Sequence, residues 1–283
     1  MQATSYVFLS WPKVHWARRQ FESRNFPGDL AVFLGRLQKE RKIFTRLFKP
    51  ERQVSAGKCD VMIMGDTQVI YTEVSVDAVA PLLETHFDGH PGGEPIRDLT
   101  LFCCTHGKRD LCCAKFGLAV VHAFRQTADK LSIPANIFEC THIGADRFAA
   151  TAVSFPHRFM FGRLRSDNVP LVLSNLVRGQ PFIPCYRGRL GMNSLEQIGE
   201  AVGYQYLSTR RLPEGEIRVQ SSELSRDTAT VDVLVLSETN PREHRIRVSC
   251  VQREFTTYMD CDGVRANQTR RVRRWVLAAD TLP

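Results

Sequence analysis

Hydrophobic and polar positions alternate in short runs over the first 95 residues, and these runs predict a small α/β region. A period of two residues indicates a strand, and a period of three to four residues indicates a helix. The predicted elements are strands at Tyr6–Leu9, Asp60–Met64 and Gln68–Val74, and helices at Leu30–Leu37 and Asp77–Phe87. The loop His90–Pro95 is rich in glycine and proline, so we place the end of this region, 1–95, there.

Residues 96–180 predict a second compact region with its own order of elements. The predicted order is strand Leu99–Cys103, helix Leu111–Ala128, strand Asn136–Cys140, hairpin strands Thr151–Phe155 and Phe159–Leu164, and helix Asn168–Leu176. In the first helix Phe116, Val120, Val121 and Phe124 recur at helical spacing and share one face. This order favours a small sheet covered by helices.

Residues 181–283 predict a helix followed by a β-rich extension. Ser194 and Gln197 match the capping-box pattern, so the helix is predicted to begin at Ser194 and to reach Val202. The predicted strands are Glu216–Gln220, Thr230–Leu236, Arg245–Val251 and Val272–Leu277. The fold class is therefore predicted as α/β, a sandwich core between an N-terminal α/β region and a β-rich C-terminal extension.

Composition is that of a soluble globular protein. Of the 283 residues, 43% are hydrophobic and 24% are charged, which excludes disordered and low-complexity classes. No apolar run approaches the roughly 18 residues of a membrane helix, and the N-terminus lacks the features of a secretory signal. We therefore expect a cytoplasmic protein that does not bind membranes.

The net charge of +8 is spread along the chain, with basic stretches at Arg36–Arg52 and Arg270–Arg274. We interpret these stretches as solvated faces, with docking to an acidic partner as the alternative. The sequence contains no nucleic-acid module motif, so no nucleic-acid partner is expected. The sequence does not predict an oligomeric state.

Cysteine is the residue type that indicates chemistry. The nine cysteines are an odd number, which together with the missing signal favours metal or redox chemistry in a reducing compartment. Four isolated cysteines are interpreted as small core residues: Cys59, Cys185, Cys250 and Cys261. The other five cluster in two segments, one from Cys103 to Cys113 and one that begins at Cys140.

One cysteine of each adjacent pair in the first segment is predicted to face a site. Side chains alternate across a strand, so Cys103 is expected in the core and Cys104 at the start of the loop. Successive helical residues differ by about 100°, so Cys112 and Cys113 point in different directions. We select Cys104 and Cys113, because a helix N-terminus would lower the pKa of the Cys113 thiol and favour a thiolate ligand.

The second segment, Cys140–Asp146, adds an imidazole and a carboxylate. His142 and Asp146 are four residues apart around Gly144, which lets the loop bend near a bound group. Thiolates together with imidazole suit zinc or an iron–sulfur cluster. His106 in the first loop is predicted to be solvated or hydrogen-bonded, and the chain has no Cys-x-x-Cys pair for dithiol chemistry.

Three stretches of the middle region resemble the sucrase/ferredoxin-like family. They are Cys104-Thr-His-Gly-Lys-Arg-Asp-Leu-Cys-Cys-Ala114, Thr141-His-Ile-Gly-Ala-Asp-Arg-Phe-Ala-Ala150 and Phe161-Gly-Arg-Leu164. Weaker matches are Trp11-Pro12 and Tyr186-Arg-Gly-Arg189. The resemblance implies a thioredoxin-like ferredoxin core, whose [2Fe-2S] cluster is held by a Cys-x8-Cys pair and by two histidines four residues apart.

The resemblance assigns ligand roles to Cys104, Cys113 and His142, and it puts Asp146 at the position of the family's second histidine. A carboxylate can bind iron, but it is a harder and anionic ligand that would shift the reduction potential down. Two alternatives remain. Cys140 supplies the fourth ligand, or the cluster is weakened or absent.

The leading hypothesis is a [2Fe-2S] electron carrier that serves a redox partner protein, and the pattern favours a carrier over a catalyst. Arg109 and Arg147 would then offset the charge of the cluster. The second hypothesis is a structural zinc site with Cys140 in place of Asp146. The third is a metal-free thiol switch with Cys112 or Cys113 as a reactive thiol of low pKa.

Overall fold

The computed structural model describes residues 4–144, 146–210, 212, 215–237 and 240–278, without the side chains of residues 146, 221, 222, 237 and 240–242. The first unit contains β1 (Ser5–Ser10), α1 (Gly28–Arg41), β2 (Ile43–Phe48), β3 (Lys58–Met64), β4 (Gln68–Ser75) and α2 (Val79–Phe87). β1 and β2 are parallel, and β3 pairs antiparallel with both β1 and β4. The three strands and two helices predicted for this region are confirmed.

Strand β2 is absent from the sequence-based prediction. It begins directly after Lys42, which adopts the left-handed conformation (φ 58°) that ends α1. Ile43, Thr45 and Leu47 are buried, so the strand does follow an alternating pattern. Arg46 lies at an alternate, half-buried position with its guanidinium over the rings of Tyr6 and Phe44, so a charged residue within a basic stretch conceals the strand in the sequence.

The second unit repeats the order of elements of the first. After the two-residue strand β5 (Glu94–Pro95) come β6 (Leu99–Cys104), α3 (Leu111–Leu131), β7 (Ala135–Cys140), β8 (Ala152–Phe155), β9 (Phe159–Phe161) and α4 (Val169–Val177). β6 and β7 are parallel, whereas β8 pairs antiparallel with both β6 and β9. This βαβββα order is thioredoxin-like, which confirms the predicted core. The N-terminal region has the same order, a duplication that the sequence pattern did not indicate.

The buried face of α3 differs in one position from the prediction. Val120, Val121 and Phe124 are buried as expected, but Phe116 is 44% exposed. The buried stripe runs instead through Cys113 and Gly117, and Phe116 lies to one side of it.

The two units share one ten-stranded sheet, ordered β10-β9-β8-β6-β7-β2-β1-β3-β4-β5, in which β10 is Tyr186–Arg189. They join where β2 pairs antiparallel with β7, with Phe48 opposite Cys140. Backbone hydrogen bonds from Lys49 to Glu139 (2.9 Å) and from Thr141 to Leu47 (2.7 Å) flank that pair. The carboxyl ends of both parallel strand pairs therefore meet near the middle of the sheet.

An aromatic cluster fills one face of the sheet across this junction. The rings of Phe8 and Phe102 stack with centroids 3.5 Å apart, and Phe48 and Phe138 pack beside them. Cys140 lies in the same cluster and is fully buried. Burial of these large rings joins the two units into a common core.

The C-terminal region is β-rich, as predicted. It contains α5 (Ser194–Thr209), β11 (Gly215–Leu224), β12 (Thr228–Ser237), β13 (Asn240–Thr257), α6 (Cys261–Arg265) and β14 (Arg270–Leu277). The four strands form an antiparallel sheet in chain order. At Gly199, on the face of α5 that meets this sheet, an added Cβ would lie 2.8 Å from Val231. A glycine there allows close approach.

The predicted capping box at the start of α5 is wrong by one residue. Asn193 is the N-cap, and its side chain accepts a hydrogen bond from the backbone of Glu196 at 3.0 Å. Glu196 in turn accepts one from the Asn193 backbone at 2.6 Å. Asn193 and Glu196 fit the capping-box pattern as well as Ser194 and Gln197 do, so the sequence pattern alone did not separate the two registers.

Over the part of the chain that the structure describes, the helices are too short or too polar to span a bilayer.

Candidate metal centre

The first side of the candidate site is the carboxyl end of β6. Cys104 is the last residue of this strand, and its side chain is fully buried at the start of the loop. Cys103 faces the opposite side, where it packs with Val120 and Phe124 of α3. The alternation predicted for this pair is therefore confirmed.

The second side of the site is the first turn of α3. Asp110 caps this helix, since its Oδ1 accepts a hydrogen bond from the backbone of Cys112 at 2.8 Å. Cys113 is buried and turns toward Cys104, whereas Cys112 forms a disulfide bond with Cys261. The interpretation of Cys261 as a buried core residue is wrong, because it lies partly exposed in α6 and is bonded to Cys112.

The third side is the loop after β7. Nδ1 of His142 lies 4.0 Å from Sγ of Cys104 and 4.0 Å from Sγ of Cys113. The three ligand atoms all lie within 4.8 Å of one another, with both sulfurs buried and the imidazole half-buried. The structure thus brings together three of the four residues selected from the sequence.

The fourth residue, Asp146, begins a 3-10 turn that ends at Phe148, and its side chain lies outside the described residues. Among the described residues, the donor atoms of Cys104, Cys113 and His142 lie within 4.8 Å of one another, and the alternative ligand, Cys140, is not part of this group. Its thiol belongs to the aromatic cluster.

His106 holds the histidine loop in place rather than joining the ligand set. Its Nδ1 accepts a hydrogen bond from the backbone of His142 at 3.3 Å, and its Nε2 donates one to the carbonyl of Ala17 at 2.8 Å. The ring of Trp16 packs edge-on against it, with centroids 5.7 Å apart. Burial lowers the pKa of His106 to about 4, so the ring is neutral at physiological pH, as this hydrogen-bond pattern requires. Of the two roles predicted for it, hydrogen bonding is the one observed.

A buried carboxylate ties the site to the loop after β1. Glu139 accepts a hydrogen bond from Thr105, the residue after Cys104, at 2.9 Å, and it forms ion pairs with Lys13 and Lys49. Burial raises the pKa of Glu139, but the hydrogen bond and charge of Lys13 outweigh burial and leave the pKa below its usual value. The sequence around Glu139 does not indicate this role, because its three partners come from three separate segments of the chain.

Gly117 sets the distance between α3 and β6. A Cβ at this position would lie 2.1 Å from the carbonyl oxygen of Cys104 and 3.1 Å from its carbonyl carbon. The absence of a side chain therefore lets the helix approach the end of the strand closely enough to bring Cys113 to Cys104.

The thiols at the junction differ in their electrostatic surroundings. A hydrogen bond from Cys113, assisted by His142 and opposed by burial, lowers the pKa of the Cys104 thiol to about 5. Burial raises the pKa of the Cys103 and Cys140 thiols. Because the thiolate is the metal-binding form of cysteine, Cys104 is prepared to act as a ligand at neutral pH and these two neighbours are not.

This difference predicts a thiolate titration in metal-free protein. Ultraviolet thiolate absorbance should appear with a midpoint near pH 5, should vanish in Cys104→Ser and should persist in the control Cys103→Ala. The pKa of the Cys104 thiol in the folded protein lies below the unfolded value of 9.0, so ionisation of this thiol stabilises the fold. The stabilisation is complete above pH 9 and is lost as the pH falls through about 5. Absorbance that appears only near pH 9, the unfolded value, would contradict the assignment.

The equivalent positions in the first unit carry no such donors. The last residue of β1 is Ser10, where β6 has Cys104. The third residue of α1 is Leu30, where α3 has Cys113. The second residue after β2 is Pro50, in place of His142. The duplicated fold therefore presents the cysteine–histidine set in its second unit.

The chain belongs to the sucrase/ferredoxin-like family, whose model matches residues 1–188 of the 283. The match covers both thioredoxin-like units and ends at β10, so the C-terminal sheet lies beyond it.

Individual relatives match shorter parts of the chain. The chain is similar to the protein named "Altered inheritance of mitochondria protein 32", at 28% identity over 109 residues in Saccharomyces kudriavzevii and at 29% over 109 residues in Saccharomyces cerevisiae. Each match covers 35% of this chain and 34% of the relative, so the chain spans about a third of the length of these curated relatives.

Among solved structures, the chain is similar to a thioredoxin-like [2Fe-2S] ferredoxin from Aquifex aeolicus. One structure shows 15% identity with a TM-score of 0.29 and covers 33% of this chain and 100% of that one. Another shows 17% identity with a TM-score of 0.31 and covers 35% and 100%.

Proposed function

We propose that this protein is an electron carrier whose [2Fe-2S] cluster is held by Cys104, Cys113, His142 and Asp146. The observation that supports the proposal most strongly is the convergence of two sulfurs on one imidazole nitrogen at 4.0 Å, from three separate segments of the chain. Membership of a ferredoxin-like family is consistent with that chemistry.

The donor set fits the cluster chemically. Thiolate sulfur is the usual ligand of iron–sulfur clusters, and imidazole replaces it in clusters of mixed ligation. When bound, the cluster would supply uptake and release of one electron. The chain itself buries both sulfurs and leaves His142 half-buried, so electrons would enter and leave at the histidine edge.

We also propose that the redox partner is a protein with an acidic docking surface. Exposed basic side chains lie on the loops that carry the site: Lys108 on the loop after β6 and Arg147 on the loop after β7. The net charge of +8 acts in the same direction. Electrostatic attraction of this kind raises the association rate and weakens as salt is added.

The position of Asp146 leads to a specific prediction. If its carboxylate is the fourth ligand, Asp146→His replaces an anionic donor with a neutral one, so the cluster should remain and its midpoint potential should rise. A spectroelectrochemical titration of both proteins measures the shift. An unchanged spectrum and potential in Asp146→His, together with loss of the cluster in Cys140→Ser, would assign the fourth position to Cys140 instead.

A structural zinc ion is the second candidate, and one observation favours it. The three donor atoms lie within 4.8 Å of one another, a compact arrangement of the kind found around a single tetrahedral ion. The four-residue set expected for zinc from the sequence included Cys140, which lies outside this group among the described residues.

A reductive titration of the purified protein tests the carrier function. A carrier should take up one electron per chain from dithionite, develop a paramagnetic signal on reduction and regain its original visible spectrum when reoxidised. A spectrum that does not respond to reductant would exclude electron transfer at this site. Cys113→Ala serves as the matched control, because it lacks one donor atom and should lose the response.

A further inference from the structure

A disulfide bond links the candidate site to the C-terminal sheet. Cys112, the second residue of α3, is bonded to Cys261, which lies 149 residues further along the chain. Cys261 begins α6, the short helix that connects β13 and β14. The bond therefore joins the family-matched part of the chain, 1–188, to a hairpin that lies outside it.

The hairpin tip also makes three weaker contacts around the site. The backbone of Cys261 donates a hydrogen bond to Oδ2 of Asp110 at 2.8 Å, while Oδ1 of the same carboxylate caps α3. Arg18 pairs with Asp262 at 2.8 Å.

The third contact reaches the loop after β7. Arg147, in the 3-10 turn after His142, lies 3.9 Å from the sulfur of Met259. The tip thus contacts the start of α3, the loop after β1 and the loop after β7.

Hydrophobic packing does not hold this tip in place. Residues Cys261–Arg265 include no buried side chain. Both side chains of the Arg18–Asp262 ion pair are more than half exposed, and such pairs add little to stability. The disulfide is therefore the principal attachment of the tip to the site.

We propose that Cys112 and Cys261 form a redox-sensitive latch, which low-molecular-weight thiols open and which holds the hairpin tip against the cysteine–histidine site. The latch rests on the disulfide and its contacts and does not depend on the proposed function. Cys112 directly precedes Cys113, so a change at the latch acts on the helix turn that carries a predicted ligand.

The chemistry of opening is thiol–disulfide exchange. A thiol attacks one sulfur of the Cys112–Cys261 bond, which breaks to give a mixed disulfide and one free cysteine. A second thiol resolves the mixed disulfide and releases the other cysteine. Two thiols lose two electrons and become one external disulfide, while the protein gains two thiols. Closing is the reverse reaction with a low-molecular-weight disulfide as the oxidant.

The test combines peptide mapping with hydrogen exchange on full-length protein, before and after treatment with excess glutathione. Without glutathione, a peptide that joins residues 112 and 261 should be recovered, and residues 258–266 should exchange slowly. After glutathione treatment, that peptide should be absent, and exchange at 258–266 and 141–148 should become several-fold faster. Cys261→Ser should show the fast exchange under both conditions.

The control Cys250→Ala removes a free, buried cysteine from the same hairpin and should behave as the parent protein does. Recovery of residues 112 and 261 as free thiols without glutathione would overturn the proposal. So would a linked peptide whose reduction leaves exchange at 258–266 unchanged. Neither measurement requires iron, so a protein that lacks the cluster but shows the latch would contradict only the proposed function.

Discussion

Cys104→Ala and Cys113→Ala are each expected to yield protein without the visible absorption of an iron–sulfur cluster. Each variant removes one of the two buried sulfurs that face Nδ1 of His142 at 4.0 Å. Alanine has no donor atom, so each variant lacks one ligand and bound iron should fall to a small fraction of the parent value. The measurement is iron content per chain after reconstitution with iron and sulfide.

Cys103→Ala is the matched control for these variants. Cys103 is equally buried and directly adjacent, but it packs against α3 in the core and lies outside the donor set among the described residues. It should retain iron at the parent level, at a modest cost in stability. Full iron content in both Cys104→Ala and Cys113→Ala would show that the ligands lie elsewhere.

Gly117→Ala is expected to destabilise the protein and to weaken the site at the same time. The added Cβ would lie 2.1 Å from the backbone oxygen of Cys104, which is part of β6 and cannot rotate away. Alanine favours a helix over glycine by about 1 kcal/mol, but overpacking against backbone costs about 1–3 kcal/mol, so the net effect is a loss. To relieve the overlap α3 must move from the end of β6, which separates Cys113 from Cys104.

Gly35→Ala in α1 is a control that should raise the stability of the protein instead of lowering it. An added Cβ at Gly35 meets no atom within 4 Å, so this variant should be more stable by up to about 1 kcal/mol. Urea unfolding of both variants, with iron content measured alongside, separates helix propensity from packing. Equal stabilisation by Gly117→Ala and Gly35→Ala, with iron retained in both, would show that the approach of α3 to Cys104 does not limit the site.

The local parts of the site follow from sequence patterns. The alternation of side chains assigns Cys103 to the core and Cys104 to the site, and the 100° step of a helix separates Cys113 from Cys112. Most strands and helices were predicted for the same reason, since a period of two or of 3.6 residues is a local property of the chain.

The features that sequence analysis missed depend on pairings across long distances in the chain. The junction of β2 with β7 has one register pair, Phe48 with Cys140, and the sequence pattern of neither strand indicates this pairing. The Cys112–Cys261 bond spans 149 residues, and cysteine spacing alone does not identify such a pair. The duplication escaped detection because β2 was not predicted, which left the first unit one strand short of the second.

Elemental analysis of anaerobically purified protein distinguishes an iron–sulfur cluster held by Cys104, Cys113 and His142 from a single metal ion. Iron, acid-labile sulfide and zinc should be measured per chain on one sample. We expect two iron and two sulfide per chain and only trace zinc. One zinc per chain without iron or sulfide would contradict the cluster and would identify the site as structural.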